Sequence, residues 1–257
     1  MDKDELLKSR IEDYVRRCSD GYYLVATKFL DAHEQAVAAA YSRGSSMSGM
    51  DVRCIFYGGY EGAERRLLVC IPKSMDIDDE QATVDLLQVL HVEIPRGSKS
   101  LTHRDYLGSV LGLGIERSVI GDILVRDDGA DLIILPEIAD FLLSEYKQVG
   151  RADVKAKVVG IDDLIVPIAH VQEIKDTIPS ARLDNVIVAA FKLSRTKAAE
   201  AIRSGIVSLN HQEATKPDMK VEEGDTLVLR GKGKAALSEV GGESKKGRIW
   251  IKIDKFI

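Results

Sequence analysis

The stretch Arg182–His211, "RLDNVIVAAFKLSRTKAAEAIRSGIVSLNH", decides how this chain is read. Leu183, Val186, Ile187 and Ala190 recur at helical spacing and predict a helix over 182–191. Lys192 and Leu193 then form a turn, and Ser194 is placed to cap a second helix over 195–204. Gly205 stops that helix. On a helical wheel Ala198, Ala201 and Ile202 share one side, while Thr196, Lys197, Glu200 and Arg203 take the other. The alanines allow close approach of the first helix. The stretch thus predicts a helical hairpin with a small apolar seam and a cationic outer edge. Lys192, Arg195, Lys197 and Arg203 stand there beside one acid, Glu200. Ser194 and Arg195 lie at a helix N-terminus, where unpaired N–H groups and the dipole attract anions. Cations at that end oppose the dipole unless an anion joins them, and a phosphate resolves the conflict.

Around the hairpin the chain is acidic. Its 257 residues carry a formal charge of −5, and 45% of them are hydrophobic, enough for two or three cored units. From Arg182 to the end there are 15 Lys and Arg against 10 Asp and Glu, or +5; upstream there are 21 against 31, or −10. The change of sign suggests different partners for the two halves. Cys18, Cys54 and Cys70 form no CxxC and no even set, so buried, reduced thiols are expected and no zinc site or disulfide framework. The charged start "MDKDELLKSR" has no apolar signal core, and no apolar run approaches the ~20 residues of a membrane span. A soluble, cytoplasmic protein is expected.

Coarse periodicity gives an α+β chain. Helices are predicted over 1–17 and 29–42, and strands at 53–57 and 66–71 form a hairpin, making 1–75 a small N-terminal α/β unit. Over 76–160 the order is strand 84–94, helix 102–114, strands 122–127 and 131–136, a helix from Pro136 to before Gly150, and strand 153–159. This β-α-β-β-α-β order is the split-βαβ pattern of a ferredoxin-like domain. Residues 181–257 hold the hairpin followed by strands at 206–210, "DTLVLRG" and "GRIWIKIDKFI".

The segment "RLDNVIVAAFKLSRTKAAEAIRSGIVSLNHQEATKPDMKVEEGDTLVLRGKGK" resembles the S4-type (alpha-L) RNA-binding domain. The "RLD" opening, "SR" at the second helix, "I-x-x-G-x-V-x-x-N", "KP" and "GD" before a strand fall in that family's order. The family often has glycine where this chain has His211. The resemblance implies that the two helices and their turn lie on structured RNA. It carries that role to Arg182, Lys192, Ser194, Arg195, Lys197 and Arg203, and further to Asn210, Lys216 and Lys232. Without it, a solvated amphipathic helix would give the same wheel. Contact by such a face is mainly with phosphates, and double-stranded RNA is read largely by backbone and shape.

"HRDYLGSVLGLGIERSVIGDILV" (103–125) resembles the central signature of the YlmH family. That family joins an N-terminal α/β unit, a ferredoxin-like RNA-binding domain and a C-terminal S4-type domain. The resemblance implies a bacterial, ribosome-associated protein that binds rRNA and tRNA on the large subunit and acts in rescue of stalled subunits. It also implies a cell-division gene neighbourhood. From the residues themselves, "PRGSKSLTHRD" offers a candidate second anion site. Thr102 and Asp105 make a capping box, and Arg96, Lys99, His103 and Arg104 stand around it. A capped helix with a basic loop explains the same residues. Strands 84–94, 122–127 and 131–136 contain no Phe, Tyr or Trp, so phosphate contact is expected there rather than base stacking.

Enzyme motifs are incomplete. "HRD" lacks a glycine-rich loop and DFG, "GSKS" is not a phosphate loop, and "GLGIER" does not complete GxGxxG. The five histidines show no metal spacing. Pseudouridine synthases pair an S4-type domain with a catalytic RLD motif, but "RLDNVIVAA" lacks the Thr and Gly that normally follow. Asp184 is therefore expected to be a structural or capping acid. The sequence predicts a non-catalytic binding protein without cofactor, metal, membrane or small-molecule substrate. An RNA-modifying enzyme with an unrecognised site in 1–160 is the alternative, and an adaptor for an acidic protein is a third.

Overall fold

The structure, a computed structural model, describes residues 2–43, 50–95, 97, 101–167, 171–210, 212–243 and 247–256. They form two compact units, Met1–Pro167 and Ile168–Ile257. Helix and strand are mixed in both, giving the α+β class expected.

The first unit opens with helix α1 (Lys3–Gly21), capped by the Asp2 carboxylate, which accepts from the Asp4 N–H. Ile11, Val15 and Cys18 recur on its buried side. Strand β1 (Val25–Ala26), helix α2 (Ala32–Arg43) and the hairpin β2 (Val52–Tyr57) and β3 (Leu67–Pro72) complete a sheet of order β1-β3-β2. The hairpin registers Cys54 opposite Cys70, with the two sulfurs 3.5 Å apart. All six residues of β3 are buried because both of its faces are covered. Leu68 and Cys70 join Ile11, Val15 and Cys18, while Leu67, Val69 and Ile71 join Phe29, Leu87 and Ile133.

Ile133 belongs to the second sheet of this unit. A short helix α3 (Asp79–Thr83) precedes β4 (Gln88–Glu93), α4 (His103–Gly112), β5 (Ile120–Arg126), β6 (Gly129–Ile134), α5 (Ala139–Glu145), the small hairpin β7 (Gln148–Val149) and β8 (Ala152–Asp153), and β9 (Lys155–Gly160). The sheet runs β5-β6-β4-β9, antiparallel throughout. This is the ferredoxin-like order. Ala130, Leu132 and Ile134 of β6 pack in one core with Tyr106 and Val110 of α4 and Leu142 of α5. Ile133 points the other way, onto the first sheet. Gly121 makes this contact possible, since a Cβ there would lie 2.7 Å from the Phe29 ring. The unit is therefore layered helices, sheet, sheet, helices.

Three local departures from the sequence reading have physical causes. Strand 84–94 starts only at Gln88, because α3, with a full Asp78/Gln81 capping box, ends at Thr83 and a turn follows. That box was legible as D-x-x-Q. The helix expected up to Gly150 stops at Glu145. Tyr146 is buried there, bonded to Ser109 Oγ at 2.7 Å, and left-handed Gly150 (φ +61) turns the β7–β8 hairpin. In the second unit, β10 (Val171–Ile178) precedes the motif-bearing segment and pairs along its whole length with the last strand.

The second unit continues with α6 (Leu183–Phe191), α7 (Arg195–Arg203), β11 (Val207–Leu209), β12 (Gln212–Glu213), β13 (Thr226–Leu229), β14 (Gly233–Glu243) and β15 (Ile249–Phe256). Its sheet order is β10-β15-β14-β13-β11-β12. Strand β14 lacks clean alternation because two register shifts, at 237–239 and 240–243, break the period of two.

One buried charge is central to the first unit. Asp131 is fully buried, accepts from His91 Nδ1 at 2.8 Å and from the Ile165 N–H at 2.9 Å, and ion-pairs with Arg126. Removing it leaves the largely buried Arg126 with only the exposed Asp128, on its Nε at 2.9 Å, as counterion, and leaves His91 and the Ile165 N–H without their acceptor. Asp131→Ala is expected to cost about 3–5 kcal/mol, read as a lowered urea midpoint. A change below about 1 kcal/mol would contradict this account.

Candidate nucleic-acid interface

Helix α6 buries Leu183, Val186, Ile187, Ala189, Ala190 and Phe191. It ends at Lys192, which adopts the left-handed conformation (φ +53, ψ +47). Ser194 is extended, and its hydroxyl accepts from the Lys197 N–H at 3.3 Å, so it caps α7 as the sequence predicts. Ala198, Ala201 and Ile202 are buried against α6, and Gly205 (φ +70) turns the chain into β11. Small side chains fill the seam, so the long polar ones are thrown outward.

Lys192, Ser194, Arg195, Lys197 and Arg203 are all exposed, as are Thr196 and Glu200. Among the described residues no carboxylate pairs with Lys192, Arg195, Lys197 or Arg203. The hairpin thus brings together four cations for which the described residues supply no carboxylate partner. Like charges held close without a counterion repel, and a polyanion relieves this.

Other sequence-predicted residues sit differently. Arg182 is exposed but forks onto Asp184, through Nε at 3.2 Å and Nη2 at 2.9 Å. Asp184 is thereby a structural acid, and its own N–H donates to the Pro217 carbonyl. Asn210 is left-handed (φ +48) and anchors a turn: its Nδ2 donates to Asp225 and its Oδ1 accepts from the Thr226 N–H at 2.9 Å. Lys216 and Lys232 are exposed, in the loop after β12 and the turn before β14. Lys216 is close in sequence to Pro217 and Met219, whose carbonyls hold the first turn of α6.

Of the candidate second anion site, Arg96 and Lys99 lie outside the described residues. His103 and Arg104 are exposed at the start of α4. The Asp105 carboxylate accepts from both the N–H and the hydroxyl of Thr102, each at 2.7 Å. It therefore places a negative charge at that helix end. Partial desolvation of the ring, then the Arg117 guanidinium, lowers the His103 imidazole below its ordinary range. Sequence spacing gave no sign that Arg117, fourteen residues on, would approach it, because tertiary folding alone brings it there.

No group of three His, Cys, Asp or Glu suited to a metal occurs among the described residues. No helix there is long and apolar enough to cross a membrane.

The fold and its cationic hairpin define an RNA-binding protein with a C-terminal S4 domain. Residues 181–227 match the S4 domain, and residues 84–163 match the family described as "Putative RNA-binding domain in YlmH". The chain is 31% identical over 243 residues to ribosome-associated protein quality control protein P2 of Bacillus subtilis (strain 168), covering 95% of this chain and 91% of that protein. The chain belongs to the YlmH family. It is also 39% identical over 79 residues to small ribosomal subunit protein uS4 of Trichlorobacter lovleyi, over 29% of this chain and 38% of that protein. A solved structure, cell division protein ylmH from Streptococcus pneumoniae, aligns with a TM-score of 0.49 and 22% identity, over 64% of this chain and 96% of that one.

The hairpin geometry rests on the alanine seam. Ala198 is fully buried. Ala198→Leu is expected to destabilise the second unit by about 1–3 kcal/mol through overpacking, measured by urea unfolding. An unchanged midpoint would mean that α6 and α7 are not closely packed there.

Proposed function

We propose that this chain is a non-catalytic, cytoplasmic protein that binds structured rRNA or tRNA on the large ribosomal subunit and acts in ribosome-associated quality control. The observation that carries the reading is the row of exposed cations Lys192, Arg195, Lys197 and Arg203, paired with no carboxylate among the described residues, on one two-helix edge. Membership of the YlmH family, and a relative named for quality control on the ribosome, supply the setting. In this reading residues 181–257 make the primary RNA contact, with Arg182, Ser194, Asn210, Lys216 and Lys232 flanking the four cations. Residues 76–160 form the ferredoxin-like RNA-binding domain, and residues 1–75 form its N-terminal companion.

The physical mechanism is shape-matched clamping. Small seam residues fix the spacing of the two helices, and their outer edge meets phosphates rather than bases. Affinity should then fall steeply with salt and depend little on sequence. The acidic first unit repels RNA in general, which favours engagement through the hairpin.

Arg195→Glu replaces an exposed cation at the start of α7. It should abolish co-sedimentation with ribosomes while the circular dichroism spectrum stays unchanged. Undiminished co-sedimentation of the folded variant would refute the hairpin assignment. Non-catalysis has a separate check. Digested rRNA and tRNA from cells with and without the gene should contain the same modified nucleosides. A nucleoside missing only from the deletion strain would make the protein an RNA-modifying enzyme instead.

A further inference from the structure

The first unit holds a pair of arginines that the hairpin reading does not use. Arg65 stands two residues before β3, and Arg117 lies in the single helical turn before β5. Arg65 donates from Nε to the Ile120 carbonyl at 3.2 Å and from Nη2 to the Phe29 carbonyl at 3.1 Å. Arg117 donates from Nη1 to the same Ile120 carbonyl at 2.5 Å and to the Gly121 carbonyl at 3.0 Å. Two half-buried guanidinium groups therefore converge on one backbone oxygen.

That arrangement is electrostatically incomplete. Among the described residues neither arginine pairs with a carboxylate. The acid beside them, Asp122, accepts from the Tyr60 hydroxyl at 2.8 Å and from the Glu64 and Arg65 N–H groups at 2.7 and 3.0 Å. Its oxygens accept from backbone and phenol rather than from either guanidinium, and Glu64 is the other acid beside the cluster. Burial, and next the Arg65 charge, bring Arg117 down to about 10. His103, at the first position of α4, feels the same guanidinium. Each arginine has five N–H donors, and the carbonyls above take only some of them. The rest can serve an anion, and guanidinium forks match phosphate oxygens in geometry and charge.

We propose that Arg65 and Arg117 together hold one backbone phosphate of structured RNA, with His103 at the rim, giving the first unit an RNA contact of its own. The proposal rests on the reading of this chain as RNA-binding. The layering of the unit favours a phosphate over a base: the face of β6 opposite the helices is packed on the first sheet, so it offers no open platform for stacking. A bound phosphate also offsets the free energy that half-burying two like charges costs.

The test uses the full chain and an RNA duplex of about 20 base pairs, longer than the ~16 spanned by one double-stranded-RNA domain. Affinity is measured across roughly 50–200 mM salt for Arg65→Gln and Arg117→Gln, each with and without Arg195→Glu, with folding checked by circular dichroism. If both arginines hold one phosphate, either variant makes the log–log salt slope shallower by about 0.9, in both backgrounds. Folded variants with an unchanged slope overturn the proposal. Heat protection of the unaltered protein by inorganic phosphate, with no change in RNA slope, also overturns it and assigns the site to free phosphate. If either variant fails to fold, modification of the unaltered protein by phenylglyoxal decides. Arg65 and Arg117 should be protected by the duplex, and equal labelling with and without RNA would sink the idea. An Arg195→Glu protein that binds as well as the original counts against the hairpin reading and leaves this one standing.

Discussion

The second unit depends on how little volume separates α6 from α7. Ala190, Ala198 and Ala201 are all buried, and beside them Ile187 and Ile202 fill what remains. A seam of methyl groups lets two short helices pack closely on a common core. Each helix has only nine residues, too few to be stable alone in water, so tertiary packing must hold both. Because the seam accepts nothing long, Lys192, Arg195, Lys197 and Arg203 extend into solvent. The cationic edge is thus a consequence of the apolar one.

A different constraint governs the first unit. Strands β3 and β6 are buried along their entire lengths, so each must satisfy two neighbours. Alternation divides the work: Leu68 and Cys70 serve the α1–α2 side, and Leu67, Val69 and Ile71 serve the second sheet. On β6, Leu132 and Ile134 serve α4 and α5 while Ile133 serves the first sheet. Asp131 interrupts this apolar pattern and is tolerated because His91, Arg126 and the Ile165 N–H engage its carboxylate. Its bond to Ile165 also ties down the segment that follows β9.

Charge is managed in two ways along the chain. Arg182, Lys220 and Lys252 are paired internally, with Asp184, Glu222 and Glu173. Such exposed pairs add little stability but remove cations from general use. The hairpin cations, and the Arg65–Arg117 pair, are left without carboxylate partners among the described residues. In a chain of net charge −5, position in the fold thus decides which cations are internally paired and which are not.

The sequence by itself determined the hairpin. Its helix limits, the Ser194 cap, the Gly205 stop and the division between Ala198, Ala201, Ile202 and the exposed cations follow from local spacing and local hydrogen bonding. It also determined the β-α-β-β-α-β order of the central segment, because each strand and helix there carries its own period. Strand β14 was illegible because bulges destroy its alternation, and β10 because its partner, β15, lies some 70 residues away. Only the tertiary structure decided which cations are spent and which are available. Arg182 and Lys197 look alike in sequence, yet one is forked onto Asp184 and the other pairs with no described carboxylate. Likewise, Arg65 and Arg117 become neighbours only when β3 and β5 are brought into one unit. Ion pairing depends on distance in space, and chain order fixes that distance only over a few residues.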